Sequence, residues 1–135
     1  MKFTPAEHRQ PVDPAKVSAP ALRTFFRVVD TWKLNNKEQM TLLGRPPRST
    51  FYRWKQGENV VLPQDALERI SYIFGIFSAL QVLLPQPEAA DAWIRKPNAA
   101  PLFGGRSALD RMLSGQVGDL YLVRQYLDAQ RGGWS

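Results

Sequence analysis

The segment LLGRPPRSTFYRWKQG, residues 42–57, decides how this chain is read. Leu42 and Leu43 close an apolar run, and Gly44 is a residue that stops a helix. Pro46 and Pro47 prevent the helix from continuing. A short helix is then expected over residues 49–56, ended by Gly57. Two short helices joined by a tight glycine-containing turn outline a helix-turn-helix. On the second helix, Phe51 and Trp54 lie three apart and share one face, suited to packing on the preceding elements. The opposite arc carries Ser49, Thr50, Tyr52, Arg53 and Gln56, side chains with the reach and hydrogen-bonding groups for base edges and phosphates. Arg53 is the best candidate base reader, bidentate on a guanine. Arg45, Arg48 and Lys55 flank the helix as candidates for backbone phosphates. The hydroxyls of Ser49 and Thr50 stand at a helix N-terminus, where free N–H groups and the dipole favour an anion.

Working toward the N-terminus, Asn36 offers a cap for a helix over 37–43, with Gln39 at the capping-box position. Leu22, Phe25, Phe26, Val29 and Trp32 form one buried stripe of an earlier amphipathic helix. That helix is expected to begin at Ser18 as N-cap, with Pro20 in its first turn. Residues 1–17 hold three prolines and no periodicity, and read as a flexible arm.

Working toward the C-terminus, Pro63 opens a long helix. Its run ISYIFGIFSALQVLL, residues 70–84, is apolar around most of its circumference but is shorter than the ~20 residues of a membrane span. It reads as a central buried helix, with a second subunit as a cover for part of it. Pro85 and Pro87 end it. A short helix from Pro87 carries Trp93, residues 95–105 form an irregular connection, and Ser107 caps another short helix that Gly115 stops. A last helix over 117–130 has the stripe Val117, Leu120, Val123 and Leu127. No segment reads as a strand.

The 135 residues carry a net charge of +6 and no cysteine. Disulfides and thiolate metal sites are therefore excluded. Residues 1–57 hold 11 Lys/Arg against 4 Asp/Glu, whereas residues 58–135 hold 7 against 8. A cationic front and a near-neutral back point to a polyanion partner for the front alone. His8 is the only histidine and falls in the arm, and there is no cysteine, so neither a zinc site nor a Ser-His-Asp triad is expected. No phosphate-binding G-x-x-x-x-G-K-[ST] loop is present. Phe103-Gly104-Gly105-Arg106 follows no strand and reads as a turn. Acidic pairs such as Asp65/Glu68 and Glu88/Asp91 stand near helix starts, where they complement the dipole. The N-terminal residues lack the apolar core of a secretory signal, so a cytoplasmic protein without a membrane anchor is expected.

LLGRPPRSTFYRW resembles the Xre-like helix-turn-helix, in which a Leu-Leu-Gly turn leads to a Ser-Thr-aromatic recognition helix. The double-proline connection is one residue longer than the usual turn of that motif. WIRKPNAAPLFGGRSALDRMLSG and VRQYLDAQRGG look like the toxin-binding domain of Xre-type antitoxins of the ParS/MbcA kind, partners of RES-domain toxins. The matching features are Trp93, Pro97-Asn98, Phe103-Gly104, Leu109, Gly115, Tyr126-Leu127-Asp128 and Gly132-Gly133. The resemblance covers about residues 20–133. It implies an all-α fold with an Xre-like helix-turn-helix N-terminal part (18–62). A central helix and a small helical toxin-binding part (63–135) follow it. It also implies a protein that is not an enzyme and needs no cofactor. Such a protein binds a RES-domain, NAD-consuming toxin, occludes its active site and represses its own operon by binding operator DNA. A homodimer fits that role.

Aromatic and arginine anchors dominate protein interfaces. On that basis Trp93, Asn98, Phe103, Arg106, Tyr121, Arg124, Tyr126 and Trp134 are the candidates for toxin contact. Trp93 and Phe103 also read as core, and Asn98 as a turn former after Pro97. Two other functions stay open at this level. One is a stand-alone transcription regulator whose back half only dimerises. The other is a protein-interaction module whose helix-turn-helix does not bind DNA.

Overall fold

The computed structural model describes residues 13–57 and 59–133. Seven α-helices are formed there: α1 (Pro14–Thr31), α2 (Asn36–Leu42), α3 (Arg48–Gln56), α4 (Gln64–Leu83), α5 (Pro87–Ala92), α6 (Ala108–Met112) and α7 (Val117–Gly133). A 3-10 turn, Trp93–Arg95, follows α5. No strand forms among the described residues; an isolated bridge joins Pro97 and Ser107.

Helix α1 starts four residues before the expected cap. The Asp13 carboxylate accepts from the Ala15 N–H at 3.0 Å, and Pro14 takes the first helical position. That pairing is a strong start signal, because proline's missing N–H would be unsatisfied there anyway. Ser18 is instead buried within α1. Its Oγ donates to the Pro14 carbonyl and accepts from the Leu62 N–H at 2.8 Å. The hydroxyl thus ties α1 to the loop that leads into α4. Of the expected arm, residues 14–17 are helical and residues 1–12 lie outside the described residues.

Helix α2 is also capped one residue earlier than expected. Asn35 Oδ1 accepts from the Glu38 N–H (2.8 Å), and the Glu38 carboxylate accepts from the Asn35 N–H (2.9 Å). Gln39 is buried and spends its amide on the Leu34 carbonyl. Leu43 and Gly44 then leave the helix, Gly44 at φ +93°. A Cβ at Gly44 would lie 2.9 Å from Asp65 Oδ2, so the turn between α2 and α3 sits directly on the first turn of α4. Gly57 closes α3 in the left-handed region at φ +77°.

The core is continuous from end to end. Leu22, Phe25, Val28, Val29 and Trp32 of the α1 region meet Phe51 and Trp54 of α3. The same cluster takes in Ile70, Ile73, Ile76, Ala79 and Leu80 of α4, then Leu120, Val123 and Leu127 of α7. Helix α4 lies between α1 and α7. It is long and apolar enough to cross a membrane by length and composition. In this fold, however, it packs against both α1 and α7. Phe74 and Val82 stay exposed on it.

Arginines stitch the front to the back. Arg69 of α4 is buried, with Nε 2.9 Å from Asp65 Oδ2 and Nη2 donating to the Gly115 carbonyl at 3.0 Å. Arg95 donates from Nη2 to the Trp32 and Lys33 carbonyls, closing the C-terminus of α1. Arg111 pairs with Asp119 at 3.1 Å and donates to the Leu102 carbonyl, holding α6 to α7 and to the preceding loop.

Candidate functional site

Helix α3 buries Phe51 and Trp54 and turns the rest of its surface outward. Phe51 packs edge-on against Phe26 of α1, with ring centroids 6.1 Å apart, which fixes the rotation of α3 about its axis. Ser49, Tyr52, Arg53 and Gln56 are exposed, and Thr50 is half-buried. Arg48 and Arg53 take part in no ion pair among the described residues. No side chain caps the N-terminus of α3, which leaves its first N–H groups for water or an anion.

The flanking cations differ in how they are held. The Arg48 guanidinium lies 5.7 Å from the centre of the Tyr52 ring. Arg45 stands at φ +59°, and its guanidinium is directed to the back half, where a Cβ on Gly115 would come within 2.5 Å of Nη1. Lys55 bends back over the Phe51 and Phe26 rings and donates from Nζ to Asn36 Oδ1 at 3.0 Å. Asn36 in turn donates from Nδ2 to the Tyr52 hydroxyl at 3.1 Å. An open cleft of about 510 Å³ runs between α2 and α3, rimmed by Lys37, Arg45 and Arg48 and floored by Met40, Pro46 and Tyr52.

In the back half, three candidates form one aromatic cluster. Trp93 stacks on Tyr126 at 6.4 Å, and Phe103 meets both rings edge-on, at 5.9 and 5.2 Å. Phe103 is buried, whereas Trp93 and Tyr126 are half-exposed. Asn98 shapes the loop: its Oδ1 accepts from the Ala100 N–H (2.9 Å), and its backbone exchanges bonds with Arg106 and Gly105. The outcome is a rigid loop that presents Arg106 to solvent. Arg124 lies across Gly75 of α4, pairs with Asp128 at 3.5 Å and donates to the Ser71 carbonyl. It therefore joins α7 to α4. Tyr121 is exposed and contacts Tyr72 edge-on at 5.6 Å. Trp134 lies outside the described residues. Trp93, Phe103, Tyr126 and Asn98 are thus brought together at one end of the back half, while Tyr121 and Arg124 line the α4–α7 seam.

Sequence reasoning missed Asn36 as a partner of α3 and Arg69 as the link between halves. Asn36 followed Asn35 directly, and choosing the wrong one as cap hid the other's free side chain. For Arg69 a signal existed in the Asp65/Arg69 spacing of four residues, which marks an ion pair on one helix face.

Two family models match the chain. One describes the antitoxin Xre-like helix-turn-helix domain and covers residues 12–75. The other describes the antitoxin Xre/MbcA/ParS C-terminal toxin-binding domain and covers residues 79–133. The uncharacterized protein y4oB of Sinorhizobium fredii is 53% identical over 121 residues, spanning 90% of this chain and 91% of that protein.

Proposed function

The chain belongs to the Xre/MbcA/ParS antitoxins, and from that premise we propose that it neutralises a RES-domain, NAD-consuming toxin and represses its own operon as an operator-bound homodimer in the cytoplasm. The observation that carries the DNA half is α3 itself. Its apolar side is locked under Phe26, and its outward side holds Arg48 and Arg53 without carboxylate partners. In this reading α3 enters the major groove, Arg53 reads a guanine and Arg48 contacts phosphate. Ser49 and Thr50 bind phosphate oxygens together with the open helix end. A dimer places two such helices about 34 Å apart, one turn of DNA.

The toxin half rests on the toxin-binding domain. The loop around Asn98, Phe103 and Arg106 and the aromatic cluster behind it give a preformed protrusion. Such a protrusion can enter a cleft with little ordering cost. Arg106, Trp93 and Tyr126 are the proposed contacts there, with Tyr121 elsewhere on α7; Trp134, outside the described residues, is a further proposed contact.

The test has two arms on the full chain. Affinity purification from the native host recovers a RES-domain protein, and recovery of a toxin of another class refutes the RES assignment. Arg53→Ala lowers affinity for duplexes tiling the DNA upstream of the chain's own gene by ~1–3 kcal/mol and relaxes preference at one base pair. Binding equal to the parent on every duplex refutes the recognition-helix assignment.

A further inference from the structure

We propose that Asn36 is a positioning residue that turns the Tyr52 hydroxyl into an outward-facing donor for a DNA phosphate oxygen, with Lys55 supplying charge from behind instead of touching DNA. The inference deepens the DNA-binding reading and rests on it. Two hydrogen bonds carry it. Lys55 Nζ donates to Asn36 Oδ1 at 3.0 Å, and Asn36 Nδ2 donates to the Tyr52 hydroxyl at 3.1 Å. An ammonium group has three donors and no acceptor. The amide must therefore present its oxygen to Lys55, which leaves its nitrogen for Tyr52. That nitrogen can only donate, so the Tyr52 oxygen accepts. Its own hydrogen is then released to point elsewhere.

The direction of the relay is thus forced from the lysine end. Each bond polarises the next, which makes the terminal hydroxyl a stronger donor. Lys55 is fixed at the start of this chain by the Phe51 and Phe26 rings, at 5.6 and 5.9 Å. Tyr52 is fixed at its end by Phe51 at 5.3 Å and by the Arg48 guanidinium over its ring. Tyr52 and Asn36 both line the cleft between α2 and α3, together with Lys37, Arg45 and Arg48. A cationic rim around a neutral donor suits a phosphate, not the edge of a base.

The capping of α2 explains why Asn36 is available. Asn35 and Glu38 already satisfy the helix end, so the Asn36 side chain is not needed there.

Asn36→Asp tests the relay with almost no change in shape. A carboxylate accepts from both Lys55 and Tyr52, so the hydroxyl turns inward and its outward donor is lost. The added negative charge also repels DNA, and the control for that is Tyr52→Phe in both backgrounds. Binding of the full chain is measured on duplexes tiling the DNA upstream of its gene and on a mixed-sequence duplex. Tyr52→Phe alone is expected to weaken binding about tenfold on all duplexes alike, the worth of a hydrogen bond to a charged acceptor. In the Asn36→Asp background the same change is expected to cost less than about twofold, because the donor is already gone. Equal losses in the two backgrounds overturn the relay. So does a loss confined to one base pair, or no loss at all from Tyr52→Phe. If the parent chain binds none of the duplexes, the DNA-binding reading fails first, and that result is distinct from additivity.

Discussion

Arg69→Met isolates one of the contacts that tie the two halves together. The replacement keeps length and apolar bulk but removes the guanidinium. Arg69 is 8% exposed, with one bond to Asp65 and one to the Gly115 carbonyl. Orphaning a buried charge costs about 3–5 kcal/mol. That penalty does not apply in full, since the Asp65 side chain is 56% exposed and regains water once alone. The pair itself, four residues apart on one helix, contributes only ~0.5 kcal/mol. The larger loss is the charged hydrogen bond to the Gly115 carbonyl, about 1.5–3 kcal/mol. Together these give an expected destabilisation of roughly 2–3.5 kcal/mol, or on the order of 10 °C in Tm for a chain of this size. Urea unfolding at unchanged m-value is the assay. Asp65→Asn is the companion and should cost under ~1 kcal/mol, as a half-exposed pair does. A loss below ~0.5 kcal/mol for Arg69→Met refutes the reasoning. Equal losses for the two variants refute the division of energy between the two bonds.

Phe103→Ala removes a buried ring held between Trp93 and Tyr126 and should cost about 3–5 kcal/mol. Arg106→Ala, exposed on the same loop, should stay within ~0.5 kcal/mol of the parent while weakening toxin neutralisation; denaturation curves and a growth-rescue assay separate the two effects. The Tyr72 phenol is held above its ordinary pKa, first by its hydrogen bond to Glu68 and then by desolvation and the Glu68 charge. Its stabilising contribution is therefore full below the ordinary tyrosine range and fades as pH rises through the raised value. Glu68→Gln should bring the phenol back down, read as an earlier onset of phenolate absorbance in an alkaline titration.

Much of the fold was legible because it depends on periodicity and punctuation. Gly44, Gly57 and Gly115 all stand at positive φ where helices stop, as their placement in the sequence implied. Phe51 and Trp54 share the buried face that a spacing of three requires. Errors fell where a polar side chain had two uses. Ser18 has the chemistry of a cap and serves as a tertiary anchor for Leu62, a partner 44 residues away that no local pattern reveals. Asn35 and Asn36 are the same residue type, so only the Glu38 carboxylate, three residues from Asn35, separates cap from relay. Lys55 shows the same limit on the candidate site. Its charge was visible in the sequence, but the direction of its side chain depends on Phe26, Phe51 and Asn36.

Helix α4 runs unbroken from Gln64 to Leu83, while the region matched to the helix-turn-helix ends at residue 75 and the toxin-binding region begins at 79. A helix completes a turn in 3.6 residues, so each residue between those limits sets about 100° of azimuth. The bearing of one working face relative to the other is counted along a single rod. Inserting one residue at position 77 would swing the faces apart by more than a right angle and pull α7 off its seat. The two modules therefore cannot drift in spacing as beads on a linker do, and any descendant of this chain must change them in register.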